Sequence, residues 1–441
     1  MENIGEGTEE ARLNVVESLI SSMNEQLAAL ANEIYTVCIF RVPEIYRRVK
    51  EEDYTPRVIS IGPLHYGDST LQAMEAYKLR YLHDFLIKFG VGIDKLVSIA
   101  SNMEVLVRAC YEDTTKIKSK EFCRMILLDG VFIVQLFIKN LIDMREPGDM
   151  LFENRWMASD LMHDMLLLEN QLPIFFILVI FDLVDPSRVH QKSFHQIAFE
   201  YFITVGNLRR LELTPHCQQS RHLVEFLFNL HRPSNIQVVL PETSFTGRFR
   251  HIRSATELHE AGVCFVKGSG KLFEVSFEAG RLTIPSLIVD DKTETFFRNL
   301  IAFEKCGHHV KYITSYIIFM YNLIETDEDM KLLLDYGIIN NMLGEDHQLV
   351  ADLFTNVGKE IRVDPGYRDF IFAKTCYDLC RYNKGPIHML KSKLYRSKLI
   401  LETDYFGEPW AFFKFIVICF TIIQTVCALL GLALEQRRSN S

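Results

Sequence analysis

Hydrophobic residues recur at steps of three and four along most of this chain, and that spacing predicts a protein built mainly of α-helices. The first stripe, Val15, Val16, Leu19, Ile20, Met23, Leu27 and Leu30, marks an amphipathic helix within residues 1–36. Docking on its own chain and pairing with a partner helix would both use that stripe. After Ile39 the reading FRVPEIYRRVKEEDYTPRVISIGPLHYGD is broken by Pro43, Pro56, Gly62, Pro63 and Gly67, which predicts an ordered, turn-rich segment. Helical spacing resumes through Leu71, Met74, Tyr77, Tyr81, Leu82, Phe85 and Phe89, and Gly90 and Gly92 stop it.

Two later stretches, FCRMILLDGVFIVQLFIKNLI and SDLMHDMLLLENQLPIFFILVIFDLV, are apolar nearly all round, as helices at the centre of a large bundle are. Asp129 interrupts the first, and Glu169, Asn170, Gln171 and Pro173 interrupt the second, so neither reads as a membrane span. Asp160 is placed as an N-cap, and Pro173 is placed to bend or restart the second helix. Ser193 to Leu230 keeps helical spacing. The loop at 232–253 carries Arg248, Arg250, His251 and Arg253, which could attract an anionic partner or lipid headgroups, or could simply stay solvated.

At Ser254 the period changes. Ser254 and Glu257 spell a capping box before ATELHEA, and Gly262 is placed to end that helix. In VCFVKGSGKLFEVSFEAGRLTIPSLIVDD, Phe273, Val275 and Phe277 face one way and Leu272, Glu274 and Ser276 the other. With turns at Gly268-Ser269-Gly270 and Glu278-Ala279-Gly280, this predicts a small antiparallel β meander near 262–289. Helices resume at Thr293 with ETFFRNLIAFEKC, continue through YITSYIIFMYNLI, and restart at the Thr326–Asp329 capping pair. Gly337, Gly344 and Gly358 punctuate the rest, and no internal repeat of fixed period is visible.

The run from Phe415 to Leu434, FIVICFTIIQTVCALLGLAL, carries no charge. As a helix it is about as long as the ~30 Å hydrocarbon core of a bilayer. Thr421, Gln424 and Thr425 are its main polar groups, Trp410, Phe412 and Phe413 precede it as an interfacial belt would, and Lys414, Arg437 and Arg438 bracket it. The expected organisation is an N-terminal helix in 1–36, one large mainly helical unit with a β insertion at 37–409, a single transmembrane anchor at 410–436, and a short basic tail at 437–441. Flanking charges are too balanced to orient the span. The N-terminus lacks a basic stretch followed by an apolar one, and no Asn begins an N-x-[ST] acceptor. The expectation is therefore a tail-anchored protein with its bulk in the cytosol, at the plasma membrane in preference to an endomembrane.

Composition narrows the function. Of 441 residues 48% are hydrophobic, ample for a large core, and the net charge of -9 argues against a general nucleic-acid binder. Ten cysteines are scattered from Cys38 to Cys427 without a dense framework, which fits free thiols in a reducing compartment.

Nine segments resemble, in order, the plant-specific family known as domain of unknown function 247: RVPEIYRR, YTPRVISIGPLHYG, MEAYKLRYL, MILLDGVFIVQLF, LLLENQLPIFF, SATELHEAGVCF, LTIPSLIVDDKTETFFRNLIAFEKC, ITSYIIFMYNLI and DYFGEPWAFFKF. The resemblance spans roughly Ile39 to Leu434. It implies a plant protein with one large helical unit and a single C-terminal span, without established enzymatic activity. Some members of that family are associated with pollen and stigma self-incompatibility in grasses. Tyr321 departs from the pattern, standing where an acid is usual.

The candidate chemistry is a constellation of Asp129 with Glu169, Asn170, Gln171 and Pro173, joined by His163 or Asp164. A carboxylate inside an apolar helix can be raised in pKa and serve as general acid or base. The alternative is that these residues satisfy backbone groups released by Pro173 and the nearby loops. Gly268-x-Gly270 lacks the third glycine of a nucleotide loop. Cys376-x3-Cys380, even with His388 or His308-His309, lacks a second ligand pair at zinc spacing, and Asp290-Asp291 suits a helix N-terminus. No cofactor or metal is therefore expected. The function that emerges is an interaction or signalling component held at a lipid bilayer, with a protein partner and no nucleic acid; the competing class is a membrane-tethered, hydrolase-like enzyme using Glu169 and Asp129.

Overall fold

The computed structural model describes residues 37–383 apart from 113, 115, 142–148, 185, 206–210, 234–251, 308–309, 345 and 362–369, together with Gly385 and six positions of the C-terminal apolar run. The amphipathic stripe at 15–30, the basic loop, His308, His309 and His388 lie outside the described residues.

The chain opens with α1 (Glu44–Arg47) and a 310 turn at Glu51–Tyr54. Then follow α2 (Ala73–Phe89), α3 (Ile93–Arg108), α4 (Ser119–Leu141), α5 (Met150–Glu153), α6 (Arg155–Met165), α7 (Ile174–Phe181), α8 (Phe194–Val205), α9 (Leu223–His231) and α10 (Ala255–Glu260). Four short strands come next: β1 (Cys264–Gly268), β2 (Ser276–Glu278), β3 (Arg281–Pro285) and β4 (Leu287–Val289). The described domain finishes with α11 (Thr293–Cys306), α12 (Tyr312–Leu323), α13 (Asp327–Asp335), β5 (Ile339–Asn341), α14 (His347–Glu360) and α15 (Ala373–Asn383).

Two helices buried on nearly every side organise the packing. Every residue of α4 from Met125 to Lys139 is buried, enclosed by α2, α3, α7 and α8. Gly130 lets α7 approach, because a Cβ there would run into Ile180. Phe137 meets Phe194, Tyr201 and Phe202 at 4.7–6.0 Å between ring centroids, which ties α8 to the same helix. In the C-terminal half α12 takes the central place, beside α11 and α14. Its Tyr312 and Tyr316 stack among Phe228, Phe273 and Phe297. One continuous apolar core joins the halves.

Local signals act where their chemistry requires. Gly90 ends α2 at φ 64, a left-handed cap that glycine adopts without a Cβ clash. Thr326 and Asp329 close a capping box on α13, Ser254 accepts the Glu257 amide at the start of α10, and Asp290 takes the Lys292 amide and the Thr293 hydroxyl before α11. Pro173 restarts the chain as the N-cap of α7.

The β region differs from the expected antiparallel meander. β2 and β3 do form a hairpin, through Ala279 (φ 49) and Gly280 (φ 79), the pair of positive φ values of a two-residue turn. β1, however, runs parallel to β3 on its other edge, Cys264 facing Arg281, so Gly268-Ser269-Gly270 is not a hairpin turn. Phe273 gives the reason: it leaves the sheet to pack against Tyr312 and Tyr316, which carries the segment after β1 away from antiparallel pairing. β4 pairs in parallel with β5, some fifty residues further on. Two smaller expectations also change. Asp160 lies inside α6, whose N-cap is Asn154, and bonds Arg57 at 3.2 Å. Gly358 lies within α14 and does not punctuate it; its role is close packing, since a Cβ there would meet the Tyr321 ring at 2.7 Å.

Most of the expected span at 415–434 lies outside the described residues. Val417, Phe420, Thr421, Ile423, Gln424 and Thr425 are described as helical, but among the described residues no helix is long and apolar enough to cross a membrane.

Candidate functional site

The sequence constellation converges on one place, the seam where residues 38–65 strap across α2, α4 and the loop between α6 and α7. An extended strap buried beneath helices has no strand to pair with, so its amides need side-chain acceptors. Asp164 takes three of them, from Arg57, Val58 and Ile59, each at 2.8 Å. Asn170 accepts from Ile61 at 2.6 Å and returns its own amide to Ile59 O at 3.0 Å. Asp129 accepts from Gly62 at 2.8 Å, and Glu169 accepts from Val42 at 2.6 Å. Gly62 is confined twice over: its φ is 74, and a Cβ would strike Gln171 O and the Tyr111 hydroxyl.

Gln171 serves a different pair of ends. Its Nε2 donates to Met165 O at the end of α6 and to Leu167 O just beyond it, while its Oε1 accepts from Val224 in the first turn of α9. Pro173 leaves the next amide, Ile174, free to bond Arg221 O at 2.7 Å.

Two cations neutralise the clamp. Lys78, on the buried face of α2, places Nζ 2.6 Å from Asp129 and 2.5 Å from Ser60 O, with Glu75 also at 2.6 Å. Arg47 on α1 lies 2.6 Å from Glu169, with His65 Nε2 at 3.4 Å. Lys78, Asp129 and Glu169 are each 1% exposed. Burial would lower the Lys78 ammonium, but Asp129 and Glu75 outweigh it and hold the group above its ordinary range. Burial pushes the Asp129 carboxyl up against the pull of Lys78. For Glu169 burial is overcome by His65 and Arg47, which leave it below the ordinary range. His163 lies beside this seam, with Nδ1 3.0 Å from Asp164 and no exposure.

A second node fastens the same strap to α11. Asp53 accepts the Thr295 hydroxyl at 2.6 Å and pairs with Arg298 at 3.1 Å and Lys50 at 3.3 Å. Asn299 donates to Asp53 O and accepts from Leu168, linking the strap, α11 and the α6–α7 loop in one network. Most of these carboxylates and amides hold backbone, and the ion pairs balance the charge that they bring. Asp129 is enclosed by the Gly62 amide and Lys78, and Glu169 by the Val42 amide, Arg47 and His65.

The other weak signals stay apart. Cys376 and Cys380 lie one turn apart on α15, and among the described residues no group of three His, Cys, Asp or Glu side chains is placed to hold a metal ion. A Cβ at Gly268 would crowd the Pro285 backbone at 3.0 Å, which accounts for the glycine in the strand. An open groove of about 530 Å³ lies between the β2–β3 turn and α15, lined by Phe277, Gly280, Asp378, Arg381 and Tyr382, and none of the candidate residues lines it.

Sequence reasoning missed Lys78, Arg47, His65 and the Asp53–Arg298 node. Lys78 did leave a signal: it falls on the same helix face as Met74, Tyr81, Leu82 and Phe85, where a charge needs a partner. Arg47 closes a helix of a single turn and His65 sits in irregular backbone, so no period marks either position.

The family model described as plant protein of unknown function (DUF247) matches residues 39–424. The UPF0481 protein At3g47200 of Arabidopsis thaliana is 29% identical, covering 88% of this chain and 84% of its own length. The putative UPF0481 protein At3g02645 of the same plant is 22% identical over 85% of this chain and 86% of its own. No solved structure matches.

Proposed function

Given that this chain belongs to the DUF247 family of plant proteins, we propose that it is a membrane-anchored interaction protein, held by the apolar run at 415–434 with its helical domain in the cytosol. The uncharged run carries this reading, and its described positions support it. Val417, Phe420 and Ile423 are 58–63% exposed, a costly display in water and a favourable one in lipid. Thr421 and Thr425 turn their hydroxyls back on the carbonyls four residues earlier, at 2.7 Å each, which hides their polarity within the helix. Anchoring confines domain and protein partner to one surface and raises their effective concentration. In recognition of the self-incompatibility kind, at the plasma membrane, that confinement would place the domain beside receptors.

The clamp suits this role: Glu169 and Asp129 fix the strap, so the domain presents a constant surface. The test is fractionation. The full chain should stay in the membrane pellet after an alkaline carbonate wash, and deletion of 415–434 should release it. A deleted chain that still pellets with lipid would sink the reading. Protease added to sealed vesicles should digest the domain, and full protection would overturn the cytosolic placement.

A further inference from the structure

One face of α3 is covered, and a row of apolar residues beside it is not. Leu96, Ala100 and Val107 are buried toward α4 and α7. Ile93, Val97 and Val105 run in a line that climbs from the flank of that face to its far side and are 47%, 50% and 78% exposed, and Leu106, about 100° further round, is 61% exposed. Ile93, Val97, Ser101 and Val105 follow one another at steps of four, so they form a ridge of the kind that seats in the groove of a second helix. Four large apolar side chains on one helix are more than the scattered singles of an ordinary surface.

The position of the strap identifies the occupant. The amides of Cys38 and Ile39 both donate to Cys110 O, at 3.0 and 2.9 Å, and Ile39 bridges Tyr111. Residues 1–36 therefore connect to the described domain immediately beyond the C-terminal end of α3, next to Val105 and Leu106. Within them the stripe Val15, Val16, Leu19, Ile20, Met23, Leu27 and Leu30 spans 16 positions, the length of α3 itself, about 24 Å as a helix. The seven residues from 31 to 37 can reach roughly 23 Å, enough to lay that stretch along α3. A tethered segment also acts at a local concentration on the order of millimolar, ahead of a free competitor.

We propose that the amphipathic stretch at residues 15–30 docks on the Ile93–Val97–Val105 ridge of α3. The helix pair covers the apolar face and leaves Glu17 and Glu25, which lie off the stripe, toward water.

The test uses the full chain in lipid nanodiscs, with the photo-crosslinker benzoylphenylalanine placed at position 105 and, separately, at 97. Irradiation should join each site to a peptide from residues 15–30 of the same chain, as read by mass spectrometry on a mixture of isotope-labelled and unlabelled protein. Links between labelled and unlabelled chains would assign the ridge to a second copy, adducts with lipid would assign it to the bilayer, and no link to 15–30 would leave it uncovered; each result overturns the proposal. Amide exchange gives an independent readout. The double variant V97D/V105D alters exposed positions and should keep the slow exchange of α4, while exchange at 15–30 accelerates at least tenfold. Unchanged exchange there would overturn the proposal too.

Discussion

Glu169 and Glu304 are sealed to the same degree, 1% and 0% exposed, and each accepts backbone amides from a segment distant in the chain or on another helix. Glu169 holds Val42 of the strap. Glu304, on α11, accepts Ile313 and Thr314 amides at 2.8 and 2.9 Å and the Thr314 hydroxyl at 2.6 Å, so it caps the N-terminus of α12 from outside. Yet the first carboxyl lies below its ordinary range and the second is raised to about 7. Burial drives Glu304 up, its donors are neutral, and Lys311 adds only a weaker pull. Glu169 has a guanidinium at 2.6 Å. Depth sets the penalty, and a cation in contact decides whether the charge survives it.

The sharpest way to break this comparison is to remove one half of the deepest pair. Asp129→Ala leaves Lys78 charged in the core and orphans the Gly62 amide, and should cost roughly 3–5 kcal/mol, read from the urea midpoint. Adding Lys78→Met should cost less than the sum of the two single changes, because the second change removes the charge whose fully buried partner the first one took away. Additive losses would mean that the pair is not coupled.

Next in size is the titration of Glu304. A folded-state value of about 7, above the ordinary 4.5, means that the folded chain holds a proton which the unfolded chain has released. This contribution is present below pH 4.5 and is lost as pH rises through about 7. The whole difference is on the order of 3 kcal/mol. Glu304→Gln should remove that slope, so the difference curve between variant and parent from pH 5 to 8 isolates it. His231, buried and lowered to about 4, runs oppositely: its contribution is lost as pH falls from 6.5 toward 4. A difference curve without slope between pH 5 and 7 would show that Glu304 ionises freely.

Glu169→Gln is the counterpart and should lose roughly 1.5–3 kcal/mol at pH 7, the worth of a hydrogen bond to a charged group. The loss should shrink as pH falls below about 4.5, because the parent itself then approaches protonation. A loss independent of pH down to 3 would remove the Arg47 pairing from the account.

The contrast also separates what could be read along the chain from what could not. α4 and α7 follow from runs that are apolar nearly all round, and α13 from a four-residue capping signal. Glu169, Asn170 and Gln171 stood out because polar residues amid apolar ones demand partners. Their partners did not, since the amides of Arg57 to Gly62 belong to turn-rich backbone with no period. Glu304 was hidden for the same reason: within FFRNLIAFEKC it reads as one charge at the end of an amphipathic helix, and only the turn into α12 brings three donors to it. The parallel pairings of β1 with β3 and β4 with β5 depend on contacts far apart in sequence, while alternation reports only which face is buried.

The smallest effect tests whether remote capping differs from local capping. At α13 the cap is built within four residues: Thr326 accepts the Asp329 amide at 3.4 Å, and Asp329 accepts the Thr326 amide at 2.9 Å. Asp329 also takes the Thr256 amide and hydroxyl at 2.7 and 2.6 Å, so this carboxylate keeps donors when the threonine hydroxyl is gone. Thr326→Ala should therefore cost only about 1 kcal/mol, the ordinary worth of an N-cap hydroxyl. The cost should stay flat from pH 5 to 8, since no raised carboxyl is uncovered. A loss as large and as pH-dependent as that at Glu304 would mean that helix caps in this fold share one energetic origin, and that the neutral donors around Glu304 are not what sets it apart.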